Sequence, residues 1–165
     1  MEIKVTSNSA KETKRLANIF SKVTDFGDTL MLVGELGGGK TTFIKGLAAS
    51  LGVKSDLSSP SFTLVNVYEL EDKKRLIHID LYRFDSLSDI LDTEINDMIE
   101  DSHALTCIEW GDKIMGFLKK DHISIEFSYV IKGGRSTQQI REIVFSSKNP
   151  YWSKKLSKIK GELLK

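Results

Sequence analysis

One run of residues constrains the fold of this chain more than any other. Residues 34–41 read Gly-Glu-Leu-Gly-Gly-Gly-Lys-Thr, a match to the spacing Gly-x-x-x-x-Gly-Lys-Thr. Small residues there let consecutive backbone N–H groups turn inward around phosphate oxygens, an approach that a Cβ atom would block. The apolar residues 30–33 precede the run, and apolar residues at helical spacing follow it over residues 42–51. The sequence therefore predicts a strand, a phosphate-binding loop (P-loop) and a helix in that order.

Two side chains at the end of this loop indicate the chemistry of its ligand. Lys40 would reach the β- and γ-phosphates of a nucleotide, and Thr41 would offer its hydroxyl to Mg²⁺. The N-terminus of the following helix adds a positive partial charge at the same place. The alternative is a glycine-rich turn that only precedes a helix. The flanking strand and helix favour the phosphate site, because they stand on the sides that phosphate binding requires.

The rest of the chain alternates between helix and strand patterns. Ser9 and Glu12 have the spacing of a capping box, in which each side chain accepts a hydrogen bond from the other residue's backbone N–H. The predicted helices are residues 10–23, 42–51 and 85–101 and a lysine-rich helix after Pro150. The predicted strands are residues 3–5, 30–33, 62–70, 75–81, 105–108, 123–131 and 140–145. We interpret residues 62–81 as an antiparallel insertion and the last two strands as a second hairpin.

These elements predict a single α/β domain over residues 1–165. The expected architecture is a P-loop NTPase-like three-layer fold, whose central sheet is mixed and mainly parallel and carries antiparallel hairpins. A chain of 165 residues has the length of one domain and can bury a substantial core.

The composition argues against several classes of protein. No apolar stretch approaches the ~20 residues that cross a membrane. The N-terminus lacks an apolar leader, and the single cysteine, Cys107, cannot form an internal disulfide, so a cytoplasmic protein is expected. The formal net charge of +1 gives no global attraction to nucleic acid or membrane. Any role with RNA must therefore be local or indirect.

Two carboxylates are candidates for a metal site beside the loop. Asp80 and Glu109 each follow a short apolar run, at 76–79 and 105–108. An acidic residue at the end of a strand next to a phosphate loop can bind Mg²⁺ directly or through water, and it can orient an attacking water. Glu109 is the first choice for the metal. The alternative for either residue is a solvated acid at a strand end or a helix cap.

Three other residues and one cluster carry weaker signals. His78 is interpreted as a hydrogen-bonded polar residue rather than a proton carrier or phosphate contact. Trp110 fits either a stacking or anchoring role or simple packing. Cys107 lies within an apolar run and is predicted to be a buried structural thiol. The lysines at 154, 155, 158 and 160 could contact tRNA, but a solvated helix face is the favoured interpretation.

Four segments together resemble a known family. Residues 34–43, 59–65, 78–83 and 108–110 stand in the order, and about the spacing, of the TsaE (YjeE) P-loop ATPases of bacterial tRNA threonylcarbamoyladenosine synthesis. The loop alone is generic, whereas His-Ile-Asp-Leu-Tyr-Arg and Glu-Trp after it are specific. The resemblance covers most of residues 1–111 and little of residues 112–165.

The resemblance implies a set of site residues with ATP and Mg²⁺ as cofactors. The implied catalytic residues are Lys40, Asp80 and Glu109, and Thr41 and Glu109 would hold the metal. Residues 59–62 would act as a mobile switch-like segment. The implied nucleotide-binding residues are Ser9, Leu36, Gly37, Gly38, Gly39, Lys40, Thr41, Thr42 and Gly134, with Ser9 and Gly134 near the base and sugar.

The resemblance also implies partners. ATP hydrolysis would serve modification of tRNA adenosine 37 together with a TsaD-like transferase subunit and its TsaB-like paralogue. Hydrolysis would be slow in the isolated chain, and it would reset the complex between catalytic cycles. Contact with tRNA would be made mostly through these partners.

Two other functions remain open from the sequence. A small P-loop kinase would share the fold, but residues 85–101 are acidic and contain no arginine, unlike the lids of such kinases. A non-catalytic module that senses a nucleotide could use the same carboxylates for Mg²⁺ affinity alone.

Overall fold

The chain forms one seven-stranded sheet with helices on both faces. The computed structural model describes residues 1–55, 57–84, 90, 95–132 and 135–165. The strands are β1 (Glu2–Ser7), β2 (Thr29–Gly34), β3 (Val65–Glu69), β4 (Arg75–Asp80), β5 (Ala104–Glu109), β6 (His122–Lys132) and β7 (Arg135–Ser146). The helices within the described ranges are α1 (Ala10–Ser21), α2 (Lys40–Ser50), α3 (Ile95–Glu100) and α4 (Pro150–Leu163). None of these helices combines the length and apolar character that crossing a bilayer requires.

The middle of the sheet is parallel and its two sides are antiparallel. The strand order is β1-β7-β6-β2-β5-β4-β3. β2 pairs in parallel with β6 and β5, and β5 pairs in parallel with β4. The remaining pairs, β1 with β7, β7 with β6 and β4 with β3, are antiparallel. Because β2, β4 and β5 run in one direction, their carboxyl ends meet at the same edge of the sheet.

Alternating side chains of the buried strands separate two apolar layers. On β2, Leu30 and Leu32 face the layer that contains α1, α2 and α4, whereas Met31 faces the opposite layer with α3. Aromatic rings fill the first layer: the Phe20 ring lies 5.2 Å from that of Phe145 between centroids, in a stacked arrangement. The predicted three-layer α/β class with a mixed sheet is therefore confirmed.

Two local predictions around residues 62–81 were wrong. β4 pairs with β5 in parallel, so the β3–β4 hairpin is the edge of the main sheet and not an insertion. Residues 62–64 are not part of the strand, because the Pro60 carbonyl accepts hydrogen bonds from the N–H groups of Thr63 and Leu64. In this turn Leu64 has a φ of 69°, so β3 begins only at Val65.

The predicted cap of α1 is correct in one half only. The Glu12 N–H donates to Ser9 Oγ at 3.1 Å, as expected for an N-cap serine. The Glu12 carboxylate, however, accepts its hydrogen bond from the Asn8 N–H at 2.8 Å and not from that of Ser9. The Glu12 carboxylate still accepts a backbone hydrogen bond at the start of α1. The donor is the residue before the one that a capping box uses.

A buried ion pair fastens α4 to the turn before β2. Lys155 Nζ lies 2.5 Å from Asp28 Oδ2 and 2.9 Å from Asp25 Oδ2, and the Tyr151 hydroxyl donates to Asp28 Oδ1. Burial by itself lowers the pKa of Lys155, but its hydrogen bonds to Asp28, Tyr151 and Asp25 outweigh burial and raise it. Lys155 therefore does not belong to the solvated face expected for the lysines of this helix.

We expect the Asp28→Asn variant to lower the free energy of unfolding by about 3 kcal/mol, because it leaves the Lys155 ammonium buried without its carboxylate. Asp25→Asn is the matched control: the Asp25 side chain is 73% exposed, and its loss should cost under about 1 kcal/mol. Urea denaturation at pH 7 measures both. Equal losses in the two variants would contradict the assigned role of Asp28.

The pH dependence of this contribution follows from the raised pKa of Lys155. The contribution is fully present below the ordinary lysine value of 10.5 and is lost as the pH rises through the higher folded value. The difference in stability between wild type and Asp28→Asn should therefore shrink above pH 10.5. A difference that stays constant through that range would contradict the assignment.

Candidate phosphate and metal site

Two glycines set the path of the loop between β2 and α2. Gly34 has a φ of 131°, and a Cβ atom there would lie 2.1 Å from the Phe127 carbonyl oxygen of β6. Gly39, the N-cap of α2, has a φ of 109°, in the left-handed region that favours glycine. The loop therefore keeps both its close approach to β6 and its sharp entry into α2 only with glycine at these positions.

Lys40 lies across this loop and is almost fully buried. Its Nζ donates to the carbonyl oxygens of Gly34 at 2.6 Å and Glu35 at 2.9 Å. The same ammonium lies 4.1 Å from the centre of the Trp110 ring, a cation–π contact. Burial lowers the pKa of Lys40, and the Coulombic attraction of nearby carboxylates, Glu109 first, acts against that shift.

Glu109 joins the start of α2 to two strands. Its Oε1 accepts a hydrogen bond from the Thr41 hydroxyl at 2.7 Å and lies 2.9 Å from His78 Nε2. An ionised carboxylate only accepts hydrogen bonds, so this contact assigns the proton to Nε2 of His78. His78 is fully buried, and its Nδ1 has no hydrogen-bond partner within the described ranges. His78 is thus a bonded polar residue as expected, and its partner is the predicted metal ligand.

Asp80 ends β4 directly beside Glu109, its register partner on β5. Its Oδ2 accepts hydrogen bonds from the hydroxyls of Ser59 at 2.6 Å and Ser61 at 2.5 Å. Its Oδ1 accepts one from the Tyr82 N–H at 3.0 Å. The carboxylate therefore ties the 59–62 segment, which the resemblance describes as switch-like, to the edge of the sheet.

A cavity of about 420 Å³ brings these groups together. Its lining residues are Leu36, Gly37, Gly38, Gly39, Lys40, Thr41, Thr42, Ser59, Ser61, Phe62, Asp80, Tyr82, Arg83, Glu109 and Trp110. A hydroxyl and a carboxylate in contact, with a second carboxylate beside them, are hard oxygen ligands of the kind Mg²⁺ takes together with phosphate oxygens. The residues present therefore fit a nucleotide phosphate group with Mg²⁺.

Lys113 was not singled out from the sequence, yet it fixes the chain after Asp80. Its Nζ donates to three carbonyl oxygens, those of Leu81 at 3.0 Å, Tyr82 at 2.9 Å and Phe84 at 2.7 Å. This holds the Tyr82 ring 5.3 Å from the Trp110 ring between centroids. No sequence pattern revealed the contact, because it joins residues about thirty positions apart.

The β6–β7 hairpin supports the loop from its outer side. Arg141 donates to the carbonyl oxygens of Gly37 and Gly38, both at 3.1 Å, and the Tyr129 hydroxyl donates to that of Leu36 at 3.0 Å. The guanidinium also lies 4.2 Å from the centre of the Tyr129 ring. The sequence indicated this hairpin, but nothing in it linked these two side chains to the loop about a hundred residues earlier.

Comparison with known proteins decides the family. The family model described as "Threonylcarbamoyl adenosine biosynthesis protein TsaE" matches residues 7–137. The chain belongs to the TsaE family. The proteins named "tRNA threonylcarbamoyladenosine biosynthesis protein TsaE" from Treponema pallidum and Bacillus subtilis are 32% and 33% identical to it. These two alignments cover 81% and 88% of this chain and 96% and 86% of the relatives.

Two further comparisons agree with this assignment. The TsaE protein of Aquifex aeolicus is 40% identical over 111 residues, which is 66% of this chain and 77% of that protein. The crystal structure of YdiB from Bacillus subtilis superposes with a TM-score of 0.79 over 98% of this chain and 96% of that chain. At 24% identity the second likeness concerns the fold, and it supports the predicted fold class.

The structure of this TsaE family member brings most of the predicted site residues together. Lys40, Thr41, Asp80 and Glu109 share one cavity. Ser9 lies in a neighbouring cavity of about 460 Å³, on the side of the loop where Arg141 stands. Gly134 lies outside the described residues.

The structure also shows the surroundings of Trp110 and Cys107, whose roles the sequence indicated only weakly. Trp110 packs against Lys40 and Tyr82 at the rim of the site, as the packing alternative expects, and the stacking or anchoring role stays a prediction. Cys107 is fully buried, and burial followed by the nearby Glu109 charge raises the pKa of its thiol, in agreement with a structural role.

We expect Lys113→Met to loosen residues 81–84, because the ammonium that holds three carbonyl groups is lost. A drop of about 2 kcal/mol in the local opening free energy would speed amide hydrogen exchange in this segment roughly 30-fold. Hydrogen exchange measured by mass spectrometry tests this, and the exposed Lys119→Met is the control. Similar exchange in both variants would contradict the role given to Lys113.

Proposed function

We propose that the chain is a Mg²⁺-dependent ATPase that serves threonylcarbamoylation of tRNA adenosine 37 together with TsaD-like and TsaB-like partners. Membership of the TsaE family supports a role in tRNA threonylcarbamoyladenosine biosynthesis. The observation that carries the ATPase proposal is the 2.7 Å contact between the Thr41 hydroxyl and the Glu109 carboxylate at the exit of the loop. Asp80, the register partner of Glu109, adds the second carboxylate that hydrolysis requires.

Each residue of the site has a role in this proposal. The backbone N–H groups of the loop and the N-terminus of α2 bind the phosphates, and Lys40 contacts the β- and γ-phosphates. Thr41 and Glu109 hold Mg²⁺, and His78 orients the Glu109 carboxylate through its hydrogen bond. Bound there, Mg²⁺ would supply neutralisation of the charge on the transferred phosphate. Asp80 orients the attacking water.

The hydrogen bonds of Asp80 support slow hydrolysis in the isolated chain. One of its oxygens accepts from two serine hydroxyls and the other from the Tyr82 N–H, so both are engaged. Asp80 Oδ2 can orient a water only after Ser59 or Ser61 withdraws, because a carboxylate oxygen accepts about two hydrogen bonds. Phe62, in the same segment, is 85% exposed and is therefore accessible to a partner that could cause this movement.

We expect Lys40→Ala and Glu109→Ala each to lower ATP turnover by more than about 100-fold, since Lys40 and the metal that Glu109 would hold both stabilise charge at the transferred phosphate. Phosphate release is measured with Mg²⁺ in the presence of both partner proteins and tRNA. Glu126→Ala, which removes an exposed carboxylate of β6, is the control and should keep full activity. Full activity in Glu109→Ala would overturn the metal and catalytic assignment.

Reconstitution separates this function from its alternatives. The chain is mixed with the two partner proteins, tRNA, ATP and threonylcarbamoyl-adenylate, and modified adenosine is counted over several turnovers. We expect multiple turnovers with the wild type and a single turnover with Glu109→Ala. Strict dependence of ATP turnover on an added small acceptor would instead indicate a kinase. Multiple turnovers with Glu109→Ala would indicate a nucleotide-sensing module.

A further inference from the structure

Basic side chains are concentrated on the outer face of one helical layer. α1 contacts both α2 and α4, so it lies in the middle of this layer. The exposed basic residues on these three helices and at the end of α1 are Lys11, Lys14, Arg15, Lys22, Lys45, Lys154, Lys158 and Lys160. The acidic residues on the same helices are Glu12 and Glu162. Since the whole chain carries a formal charge of only +1, the rest of the molecule compensates with acidic residues.

The centre of this face is a groove between α1 and α2 of about 620 Å³. Three cationic side chains line it, those of Lys11, Lys14 and Arg15, and within the described part of the chain none of them forms an ion pair. The acidic side chain in the groove, Glu12, is bonded to Asn8 at the start of the helix. The groove therefore presents cations that are free to meet an external anion.

The groove is shallow because α1 and α2 approach closely at Gly46. A Cβ atom on Gly46 would lie 2.7 Å from Lys14 Cα. Asn18 and Ser50, which are hydrogen-bonded to each other at 2.8 Å, add further polar groups along the same groove. The cations, the Asn18 amide and the Ser50 hydroxyl thus follow the line of contact between two helices, as an extended chain of anionic groups would require.

The absence of exposed apolar anchors along α1 and α2 distinguishes the groove from a protein-binding surface. Along α1 and α2, which the structure describes completely, no large hydrophobic side chain is exposed. Tyr151 is exposed on the neighbouring α4, away from the groove lining. Three other exposed apolar residues, Leu36, Phe62 and Tyr82, line the phosphate-site cavity. Protein interfaces depend on buried aromatic and aliphatic anchors, whereas phosphate backbones are bound by lysine and arginine. The face fits a polyphosphate backbone better than a protein.

We propose that the exposed face of α1, centred on Lys11, Lys14 and Arg15, binds the phosphate backbone of the tRNA substrate directly. The identity of the RNA rests on the proposed function, whereas the binding of a phosphate backbone rests on the face itself. Ser9 lines both this groove and the cavity beside the phosphate loop. A bound RNA would therefore lie next to the nucleotide site.

Charge reversal on the exposed face tests the proposal. The Lys14→Glu/Arg15→Glu variant is titrated against a fluorescein-labelled, unmodified tRNA transcript whose anticodon reads ANN codons, with anisotropy as the readout. We expect at least tenfold weaker binding than wild type at about 100 mM salt, and a plot of log K against log salt whose slope is shallower by about 2. Lys73→Glu/Lys119→Glu changes the net charge equally on other exposed surfaces, and it should bind within about twofold of wild type.

Three results would overturn the proposal. Absence of wild-type binding to tRNA at about 50 mM salt would remove the site. Equal losses in both variants would show that net charge alone governs binding. A Lys14→Glu/Arg15→Glu variant that binds tRNA normally but fails to associate with the partner proteins would make the face a protein-binding surface.

The result of this binding experiment can be distinguished from the result of the test of the proposed ATPase function. Neither double variant alters a residue of the phosphate site, so basal ATP hydrolysis should equal that of the wild type in both. Loss of tRNA binding with normal hydrolysis supports the RNA-binding face. Absence of hydrolysis in the wild type together with normal, α1-dependent tRNA binding would reject the ATPase and leave this inference standing.

Discussion

A single carboxylate oxygen joins the parts of the chain on which the site depends. Glu109 Oε1 accepts one hydrogen bond from Thr41 at the start of α2 and contacts His78 on β4. β4 and β5 are parallel neighbours, so this oxygen lies where the loop, the helix and the sheet edge meet. A buried carboxylate without partners would be costly, and these two contacts satisfy it. The phosphate loop is thereby fixed to the sheet through the proposed metal ligand itself.

The second carboxylate is held in a different way. Asp80 is bonded to Ser59 and Ser61, which belong to a connecting segment and not to the sheet. On its other side, Lys113 fixes the backbone that follows Asp80. Glu109 is therefore held by residues of the helix and the sheet, whereas Asp80 is held by a connecting segment whose Phe62 side chain is exposed.

Local patterns predicted the elements of the fold well, but not all of their neighbours. Apolar runs and helical spacing placed β2, α2 and β5, because each pattern is complete within about ten residues. The β3–β4 hairpin was misjudged as an insertion, since nothing in its own sequence shows that β4 pairs with β5. Strand neighbours depend on the path of the whole chain, which short windows do not contain.

The sequence by itself determined the glycine-rich loop between a strand and a helix and the position of the two carboxylates at strand ends, because glycine spacing and apolar runs are local patterns. Only the tertiary structure decided what surrounds them. It placed His78 against Glu109, Lys113 against the segment after Asp80, and Arg141 behind the loop. It also buried Lys155 and placed the exposed basic side chains of α1, α2 and α4 on one face, although the net charge is only +1. These contacts and the uneven surface charge arise only when distant segments fold together, so the overall composition does not show them.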